Sequence, residues 1–270
     1  MRLRNPDLSE RSAAMLKSLI SAFLMYSRIP MPQIEWKAEN RRYSLGFFPL
    51  IGAVIGAALI VWRVICDYLD FGQFLFAAFA VFLPILITGG IHADGFCDVT
   101  DARASYAERE KRLAIMSDPH IGSFAVIRIV LYLLLQTALM TQITSLRTTI
   151  QIACGYVISR SLSGLSAVTF RSAKHDGSLQ SFVKPSHKTV TIMLVCIWAV
   201  SAYFGMLICS YTQGIAAAAA SIFVFLYYRY TADRDFGGIT GDLCGWFLQL
   251  CEIWMLAAIV FTNRITEVLL

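Results

Sequence analysis

Three aspartates lie close together in the stretch Thr88-Gly-Gly-Ile-His-Ala-Asp-Gly-Phe-Cys-Asp-Val-Thr-Asp101. Asp94, Asp98 and Asp101 are spaced at i, i+4 and i+7, so in a helix they share one face over two turns. Carboxylates this close repel one another, and a divalent cation relieves the repulsion. Oxygen ligands without cysteine or clustered histidine favour Mg²⁺ or Mn²⁺. The spacing predicts a metal site, and the alternative is a solvated acidic face or a set of helix caps.

A second cluster, Asp235-Phe-Gly-Gly-Ile-Thr-Gly-Asp242, leads directly into an apolar helix. Glycines, a hydroxyl and a carboxylate at a helix N-terminus can cradle a phosphate and hold its metal. Gly238, Thr240 and Asp242 are therefore candidate site residues. The simpler alternative is that Asp242 is an ordinary N-cap.

Basic residues follow the first cluster, in the segment that contains Arg109, Lys111 and Arg112. They are natural partners for an anionic substrate, because arginine binds phosphate through two parallel hydrogen bonds. Asp118, which precedes a proline, is either a fourth ligand or a cap. The alternative for the basic residues is the usual positive charge of a loop beside a membrane.

Two further charges, Arg160 and Glu252, lie inside apolar segments. Charges at membrane depth are candidate functional residues by default, because they are costly there. Arg160 is therefore a candidate substrate contact. The two residues could equally pair with each other and brace the bundle.

The elements that must position these residues are membrane helices. Of the 270 residues, 57% are hydrophobic and 15% are charged, against roughly 45–50% and about 25% in soluble proteins. Apolar blocks of span length should be helical, because lipid offers no hydrogen-bond partners. We therefore predict an all-α polytopic membrane bundle forming one domain, residues 1–270. Its seven blocks are Phe47–Cys66, Phe74–Ile91, Gly122–Gln142, Thr149–Val168, Val190–Cys209, Gly214–Tyr228 and Leu243–Thr262.

The distribution of positive charge gives the topology. Alternate loops hold four, four, four and two Lys or Arg residues, whereas the intervening loops and the C-terminal tail together hold two, Arg147 and Arg264. The positive-inside rule places the first set, with both acidic clusters, in the cytoplasm. The N-terminal tail is also basic, so Ala13–Tyr26 is predicted to be an interfacial or re-entrant helix. An eighth span is the lesser alternative.

Acidic and basic groups are thus predicted to meet at the cytoplasmic face. This combination fits phosphoryl transfer, in which a metal and basic groups neutralise the transferred group. Motifs for a P-loop, a nucleophile elbow or a zinc protease are absent from the sequence. The residues alone therefore indicate a Mg²⁺-dependent transferase that acts on a phosphorylated substrate at the membrane.

The sequence resembles the cobalamin synthase family, the adenosylcobinamide-GDP ribazoletransferases. The resemblance extends over nearly the whole chain, in the family's order. Besides the two acidic stretches, the shared motifs are Phe23-Leu-Met-Tyr-Ser-Arg-Ile-Pro30, Gly46-Phe-Phe-Pro-Leu-Ile-Gly52, Arg109-Glu-Lys-Arg-Leu113 and Met116-Ser-Asp-Pro-His-Ile-Gly-Ser-Phe-Ala125.

The resemblance implies transfer of adenosylcobinamide-phosphate from adenosylcobinamide-GDP to α-ribazole or its 5′-phosphate, with GMP released. It implies Mg²⁺, the cytoplasmic membrane of a prokaryote, and a site facing the cytoplasm. Nucleic acid is not an expected partner, and a homo-oligomer is possible. By position, Asp94, Asp98 and Asp101 are the expected metal-binding and catalytic carboxylates, with Asp101 favoured as the base. The further expected site residues are Asp118, Asp242, His92, Arg109, Lys111, Arg112, Arg160, Lys174, Gly238 and Thr240.

One segment departs from the family pattern. An aromatic-Ala-Arg-x-x-Gly element is expected after the fourth block, but the chain has Phe170-Arg-Ser-Ala-Lys-His-Asp-Gly177, with Lys174 in place of the arginine. Lysine keeps the charge and loses the two-pronged grip on phosphate. Lys174 is therefore expected to contact phosphate through a single point charge.

Two other functions fit part of the pattern. A CDP-alcohol phosphotransferase would also use an Asp-Gly helix, but Asp94-Gly-Phe-Cys-Asp98 lacks the Ala-Arg of that signature. A cation or proton transporter would place its acids near the bilayer midplane and often in repeated halves. Here the acids lie at span ends, and the sequence shows no internal repeat.

Overall fold

The computed structural model describes residues 8–174 and 177–269. Arg2 and Arg4 of the basic tail, and His175 and Asp176 of the departing segment, lie outside this range. The described chain is almost entirely helical, which confirms the all-α prediction. Its α-helices are α1 Leu8–Tyr26, α2 Phe48–Tyr68, α3 Gln73–Thr88, α4 Ile91–Ala104, α5 Arg109–Ile115, α6 Ser123–Met140, α7 Leu146–Thr169, α8 Ser178–Val183, α9 Lys188–Cys209, α10 Tyr211–Thr231 and α11 Gly241–Leu269.

Every predicted apolar block is occupied by a helix, but not every one of these helices is long and apolar enough to be a span. Five pass by length and composition, namely α2, α6, α9, α10 and α11, and α3 passes only when it is joined to α4. The remaining block, α7, has 24 residues and so a length of about 36 Å. Its serines and Arg160 lower its hydropathy. Because most of its residues are buried among other helices, these polar groups do not face lipid.

Helices α3 and α4 meet at a sharp corner. The axis turns by 94° between them, at Gly89 and Gly90, whose φ angles are 67° and 80°. This left-handed conformation is readily available only to glycine. The paired glycines therefore form the corner, and α4 lies across the direction of α3 instead of extending the span.

The N-terminal helix α1 is anchored to the loop that precedes α2. The hydroxyl of Ser21 donates to the carbonyl of Asn40 at 2.9 Å, and the amide of Tyr43 donates to the hydroxyl of Ser18 at 3.2 Å. The apolar part of the helix, Ser12–Tyr26, is shorter than a span. Both observations agree with the predicted interfacial or re-entrant helix.

The loops gather at two ends of the bundle in the alternation that the charge pattern requires. At the basic end, Arg103 pairs with Asp235, and the amide of His187 donates to the carbonyl of Arg42 at 2.9 Å. At the other end, the side-chain amide of Gln73 donates from Nε2 to the backbone carbonyl of Ile143 at 2.6 Å. The two sets of loops are therefore on opposite faces, as predicted.

Candidate active site

The two acidic clusters of the sequence meet where α4 crosses α11. A Cβ atom added to Gly95 would lie 2.7 Å from the carbonyl oxygen of Asp242, and one added to Gly245 would lie 3.2 Å from the Cα of His92. Glycine on each helix therefore allows the two backbones to approach closely. This contact places Asp242 beside the carboxylates of α4.

Asp98 lies at the centre of the acidic cluster. Its side chain is half-buried, and burial together with the negative charges of Asp94, Asp242 and Asp101, in that order, raises its pKa to about 7. Asp94 is exposed. Since α4 is bent away from the spanning direction, these groups lie at the end of the bundle. Three carboxylates thus repel the negative charge of a fourth, and such an arrangement attracts a cation.

Asp101 lies on the same face of α4, but its carboxylate is bound by the backbone of another helix, α6. Its carboxylate accepts hydrogen bonds from the amides of Gly122 at 2.5 Å and Ala125 at 2.8 Å. It therefore caps the N-terminus of α6, where backbone amides lack partners within the helix. Both oxygens of Asp101 are engaged by backbone amides, so its assignment as the base stays a prediction that these contacts do not favour.

Asp118 lies apart from the cluster. It is exposed, and its carboxylate accepts from the amide of His120 at 2.9 Å and contacts the His120 ring at 2.7 Å. These hydrogen bonds from His120 lower the pKa of Asp118. The carboxylate of Asp118 is engaged by this local turn, so its role as a fourth ligand stays a prediction.

The glycine-rich loop before α11 is held by the segment that departs from the family pattern. The amide of Ile239 donates to the carbonyl of Arg171 at 2.8 Å, and the amide of Ala173 donates back to Ile239 at 2.9 Å. Gly238 has φ 150°, and an added Cβ would lie 2.5 Å from the Arg171 carbonyl. Gly238 therefore packs against protein backbone and does not face an open phosphate cradle.

The N-cap of α11 is Thr240. Its hydroxyl accepts from the amide of Leu243 at 3.2 Å, so Asp242 is free of the capping role that was its simpler interpretation. Lys174 is within electrostatic range of Asp242, and its ammonium donates to the Ser117 hydroxyl at 2.8 Å. The structure thus brings Lys174 to the site, with its charge beside a carboxylate.

The three basic residues of α5 have different surroundings. Arg112 pairs with Asp235 at 3.0 Å, as does Arg103 at 3.2 Å, so Arg112 ties α5 to the loop before α11. The guanidinium of Arg109 lies directly against Gly237, where any added Cβ would overlap it. Lys111 is exposed and has no ion pair among the described residues. Arg109 and Lys111 remain available to an anion.

Arg160 and Glu252 form an ion pair inside the bundle. Their Nη1 and Oε1 atoms are 2.6 Å apart, and the side chains are 1% and 7% exposed. The Ser159 hydroxyl donates to the same carboxylate oxygen at 2.9 Å. The bracing interpretation is confirmed. Arg160 is accordingly removed from the substrate-binding set, because it is sealed from the open face.

His92 is buried, and its Nε2 atom has no hydrogen-bond partner. It lines a cavity together with Asp94 and Asp242. The aromatic residues Tyr26 and Phe182 line the same cavity and were missed by the sequence reasoning. Tyr26 lies within the motif that ends at Pro30, which was the available signal; nothing in the sequence distinguished Phe182.

The chemistry of the cluster suits Mg²⁺, although its side chains are not gathered around a point. No group of three or more His, Cys, Asp or Glu side chains in residues 8–174 and 177–269 is close enough to hold an ion as it stands. The donors are hard carboxylate oxygens, and their repulsion raises the pKa of Asp98. Asp94, Asp98 and Asp242 therefore fit the predicted cation, whereas Asp101 and Asp118 are engaged elsewhere.

Comparison with known proteins gives one consistent result. Residues 18–260 match the model of a protein family described as cobalamin-5-phosphate synthase. An adenosylcobinamide-GDP ribazoletransferase of Lachnoclostridium phytofermentans is 42% identical over 93% of this chain and 95% of its own length. The corresponding proteins of Geobacillus sp. strain WCH70 and Clostridium botulinum strain Alaska E43 are 31% and 29% identical, over 89% and 92% of this chain and 95% and 99% of their own lengths. No solved structure matches the chain.

Proposed function

Because the chain belongs to the cobalamin-5-phosphate synthase family, we propose that it is an adenosylcobinamide-GDP ribazoletransferase. It transfers the adenosylcobinamide-phosphate group of adenosylcobinamide-GDP to α-ribazole or α-ribazole 5′-phosphate. The products are adenosylcobalamin or its 5′-phosphate, together with GMP. This step completes the nucleotide loop of the cofactor.

The proposed reaction is a phosphoryl transfer from a pyrophosphate. A ribose hydroxyl of the ribazole attacks the phosphorus that carries the cobinamide, and a new phosphorus–oxygen bond forms. The bond from that phosphorus to the bridging oxygen breaks, GMP leaves with the electron pair, and the hydroxyl gives up its proton. Since Asp101 accepts two backbone hydrogen bonds, Asp94 and Asp98 are the remaining carboxylates of α4 that can receive the proton.

We assign Asp94, Asp98 and Asp242 as the ligands of a Mg²⁺ ion. When bound, Mg²⁺ supplies neutralisation of the charge on the transferred group and on the leaving GMP. Arg109, which lies on Gly237, and Lys174, which lies near Asp242, are positioned for the pyrophosphate oxygens. Lys111, exposed on α5, extends this basic surface.

The enzyme is proposed to lie in the cytoplasmic membrane of a prokaryote, with this end of the bundle in the cytoplasm. The supporting pattern is the concentration of Lys and Arg in the loops at the same end. GDP-linked substrates are made from cytoplasmic nucleotides, so this orientation gives them access to the site without crossing the bilayer.

The observation on which the activity rests most directly is the proximity of Asp94, Asp98 and Asp242 where α4 crosses α11, with Lys174 near Asp242. The test uses protein purified in detergent with adenosylcobinamide-GDP, α-ribazole and Mg²⁺, and follows cobalamin and GMP. Asp94→Asn and Asp98→Asn are compared with Asp70→Asn, the same change on an exposed residue beyond α2, at the other end of the bundle.

Wild-type protein and Asp70→Asn are expected to form both products, and EDTA or either α4 substitution is expected to abolish them. Absence of product from folded, metal-replete wild-type protein would refute the transferase. Exchange of a CDP-alcohol under the same conditions would then favour the lipid phosphotransferase. Full activity of both α4 variants would refute the carboxylate site alone.

A further inference from the structure

A cavity lies beside the acidic cluster, between six helices. Its volume is about 100 Å³, and it is lined by residues from α1, α2, α4, α7, α8 and α11. Asp94 and Asp242 lie on its wall, so it is continuous with the proposed reaction centre. We call it the base cavity; the lining residues that carry the argument are Tyr26, Phe48, His92, Ala167, Phe182 and Asp242.

The walls of the base cavity are largely aromatic. The ring of Tyr26 lies 4.4 Å from that of Phe48 and 5.8 Å from that of Phe182, between ring centroids, and Phe48 meets His92 edge-on at 5.8 Å. Aromatic walls favour a planar aromatic guest. A cavity of about 150 Å³ is known to hold benzene, so this cavity cannot enclose a corrin ring, and a bicyclic base would be enclosed only in part, with its remainder in the opening beside Asp94 and Asp242.

His92 carries a buried nitrogen, Nε2, that has no hydrogen-bond partner. Of the buried side-chain atoms without a hydrogen-bond partner in the described chain, it alone belongs to a residue lining this cavity. His92 is 7% exposed, so bulk water does not satisfy it. A buried nitrogen left without a partner is unfavourable and calls for an explanation, which a ligand provides.

We propose that the base cavity binds the heteroaromatic base of the ribazole acceptor, with its free ring nitrogen at His92 Nε2. This inference rests on the proposed function and adds the location of the acceptor. A benzimidazole joined to ribose has an apolar bicycle and one free nitrogen, which accepts a hydrogen bond. With the His92 proton on Nε2, the cavity offers one donor to that one acceptor.

The guanine of the donor substrate is a poorer match. Guanine has several hydrogen-bond donors and acceptors along two edges, and these need partners when buried. The wall of the base cavity offers mainly rings and aliphatic groups, and its two carboxylates, Asp94 and Asp242, are assigned to the cation. A base bound there would direct its ribose towards Asp94 and Asp242, where the attacking hydroxyl is required.

The first experiment measures competition by the free base. We expect 5,6-dimethylbenzimidazole to inhibit the wild-type enzyme competitively with α-ribazole and not competitively with adenosylcobinamide-GDP. Binding of the base is also followed directly by its fluorescence, which requires no turnover. Inhibition competitive with the GDP substrate, or absence of binding, would overturn the assignment of the cavity to the acceptor.

The second experiment fills the cavity. Ala167→Leu adds volume at the wall, and we expect the KM for α-ribazole to rise about tenfold or more, with the KM for adenosylcobinamide-GDP little changed. Ala138→Leu, the same substitution on an exposed residue of α6, should leave both values unchanged. Equal KM values for α-ribazole in a folded Ala167→Leu enzyme and in wild type would refute the proposal.

The third experiment tests the hydrogen bond. His92→Phe keeps an aromatic ring and removes the donor, so affinity for 5,6-dimethylbenzimidazole should fall about tenfold. Affinity for 5,6-dimethylindole, whose ring has no acceptor nitrogen, should be unaffected. An equal loss for both compounds would show that His92 is not the partner. Because these are binding measurements, they separate failure of the cavity assignment from failure of the transferase proposal.

Discussion

Two groups of charged residues lie close to each other in this bundle and behave in opposite ways. Arg160 and Glu252 neutralise each other within 2.6 Å and are sealed from solvent. Asp94, Asp98 and Asp242 carry charge of one sign, and no Lys or Arg among residues 8–174 and 177–269 forms an ion pair with them. The charges of the first group are balanced within the chain. Those of the second group need an external cation.

The comparison shows how charge in a membrane protein should be interpreted. Depth alone made Arg160 and Glu252 look functional, since charges there are usually functional. What separates the two groups is whether opposite charges of the same chain satisfy them. A buried ion pair can be structural, while like charges held together by the fold indicate an external partner.

The largest expected effect on stability comes from removing one partner of the buried ion pair between Arg160 and Glu252. Glu252→Gln leaves Arg160 buried without a counter-charge, and we expect the free energy of unfolding to fall by about 3–5 kcal/mol. Denaturation in mild detergent measures this loss. The control is Glu267→Gln on the same helix, which removes an exposed pair with Arg264 and should barely change stability. Unfolding of Glu252→Gln at the wild-type midpoint would show that the pair is not a brace.

Substitution within the acidic cluster of Asp94, Asp98 and Asp242 should lower activity without lowering stability. Asp98→Asn is expected to lower kcat/KM at least about 100-fold, as removal of one electrostatic group from a reaction centre does. Its thermal stability without metal should stay the same or rise at pH 8, because one repelling charge is lost. A fall in stability comparable to that of Glu252→Gln would mean that the acidic cluster is structural.

The pH dependence sharpens the same contrast. The pKa of Asp98 is raised from its usual value to about 7, so the folded protein favours the protonated form. Its contribution to stability is present below the ordinary pKa and is lost as pH rises towards 7. In EDTA, the Tm of wild type relative to Asp98→Asn should therefore decline between pH 4 and pH 7.

Activity has the opposite dependence, because the proposed role needs the carboxylate ionised. We expect kcat/KM, measured at limiting Mg²⁺, to fall as pH drops below 7, because a proton competes with Mg²⁺ for Asp98. A stability difference between wild type and Asp98→Asn that is constant over this range would contradict the raised pKa. A flat activity profile would contradict the requirement for ionised Asp98.

The smallest expected effect on stability distinguishes the role of Asp101 from that of Asp98, which lies on the same helix. Asp101→Asn weakens the cap of α6, and we expect a loss of about 1 kcal/mol in the free energy of unfolding. Activity should be retained at a level far above that of Asp98→Asn. Asp118→Asn, which changes an exposed turn, is the control for both measurements. Loss of activity in Asp101→Asn equal to that in Asp98→Asn would restore Asp101 to the reaction centre.

Much of this architecture followed from sequence because membrane helices obey strong composition rules. The apolar blocks located the helices, and the basic loops predicted which ends gather together. Five of the seven predicted spans meet the length and composition of a span alone, and α3 does so only with α4; α7 has a span's length, crosses the bundle and is surrounded by protein. Sequence cannot show whether a block faces lipid or other helices, and the polar side chains of α7 were the available indication.

The sequence identified the residues of the site more accurately than it identified their roles. Periodicity placed Asp94, Asp98 and Asp101 on one helix face, but spacing could not show that α6 would present its amides to Asp101. The same limit applies to Thr240, which caps α11, and to Gly238, which packs on backbone. These roles depend on tertiary neighbours that are far away in the chain.

The corner at Gly89 and Gly90 has a consequence for the evolution of this chain. Since the corner sets where α4 begins, one residue added or deleted between Gly90 and Asp94 would rotate the carboxylates by about 100° around the helix axis. The acids would then turn away from Asp242. Length variation should be tolerated in the connection between α9 and α10, and selected against in this short segment.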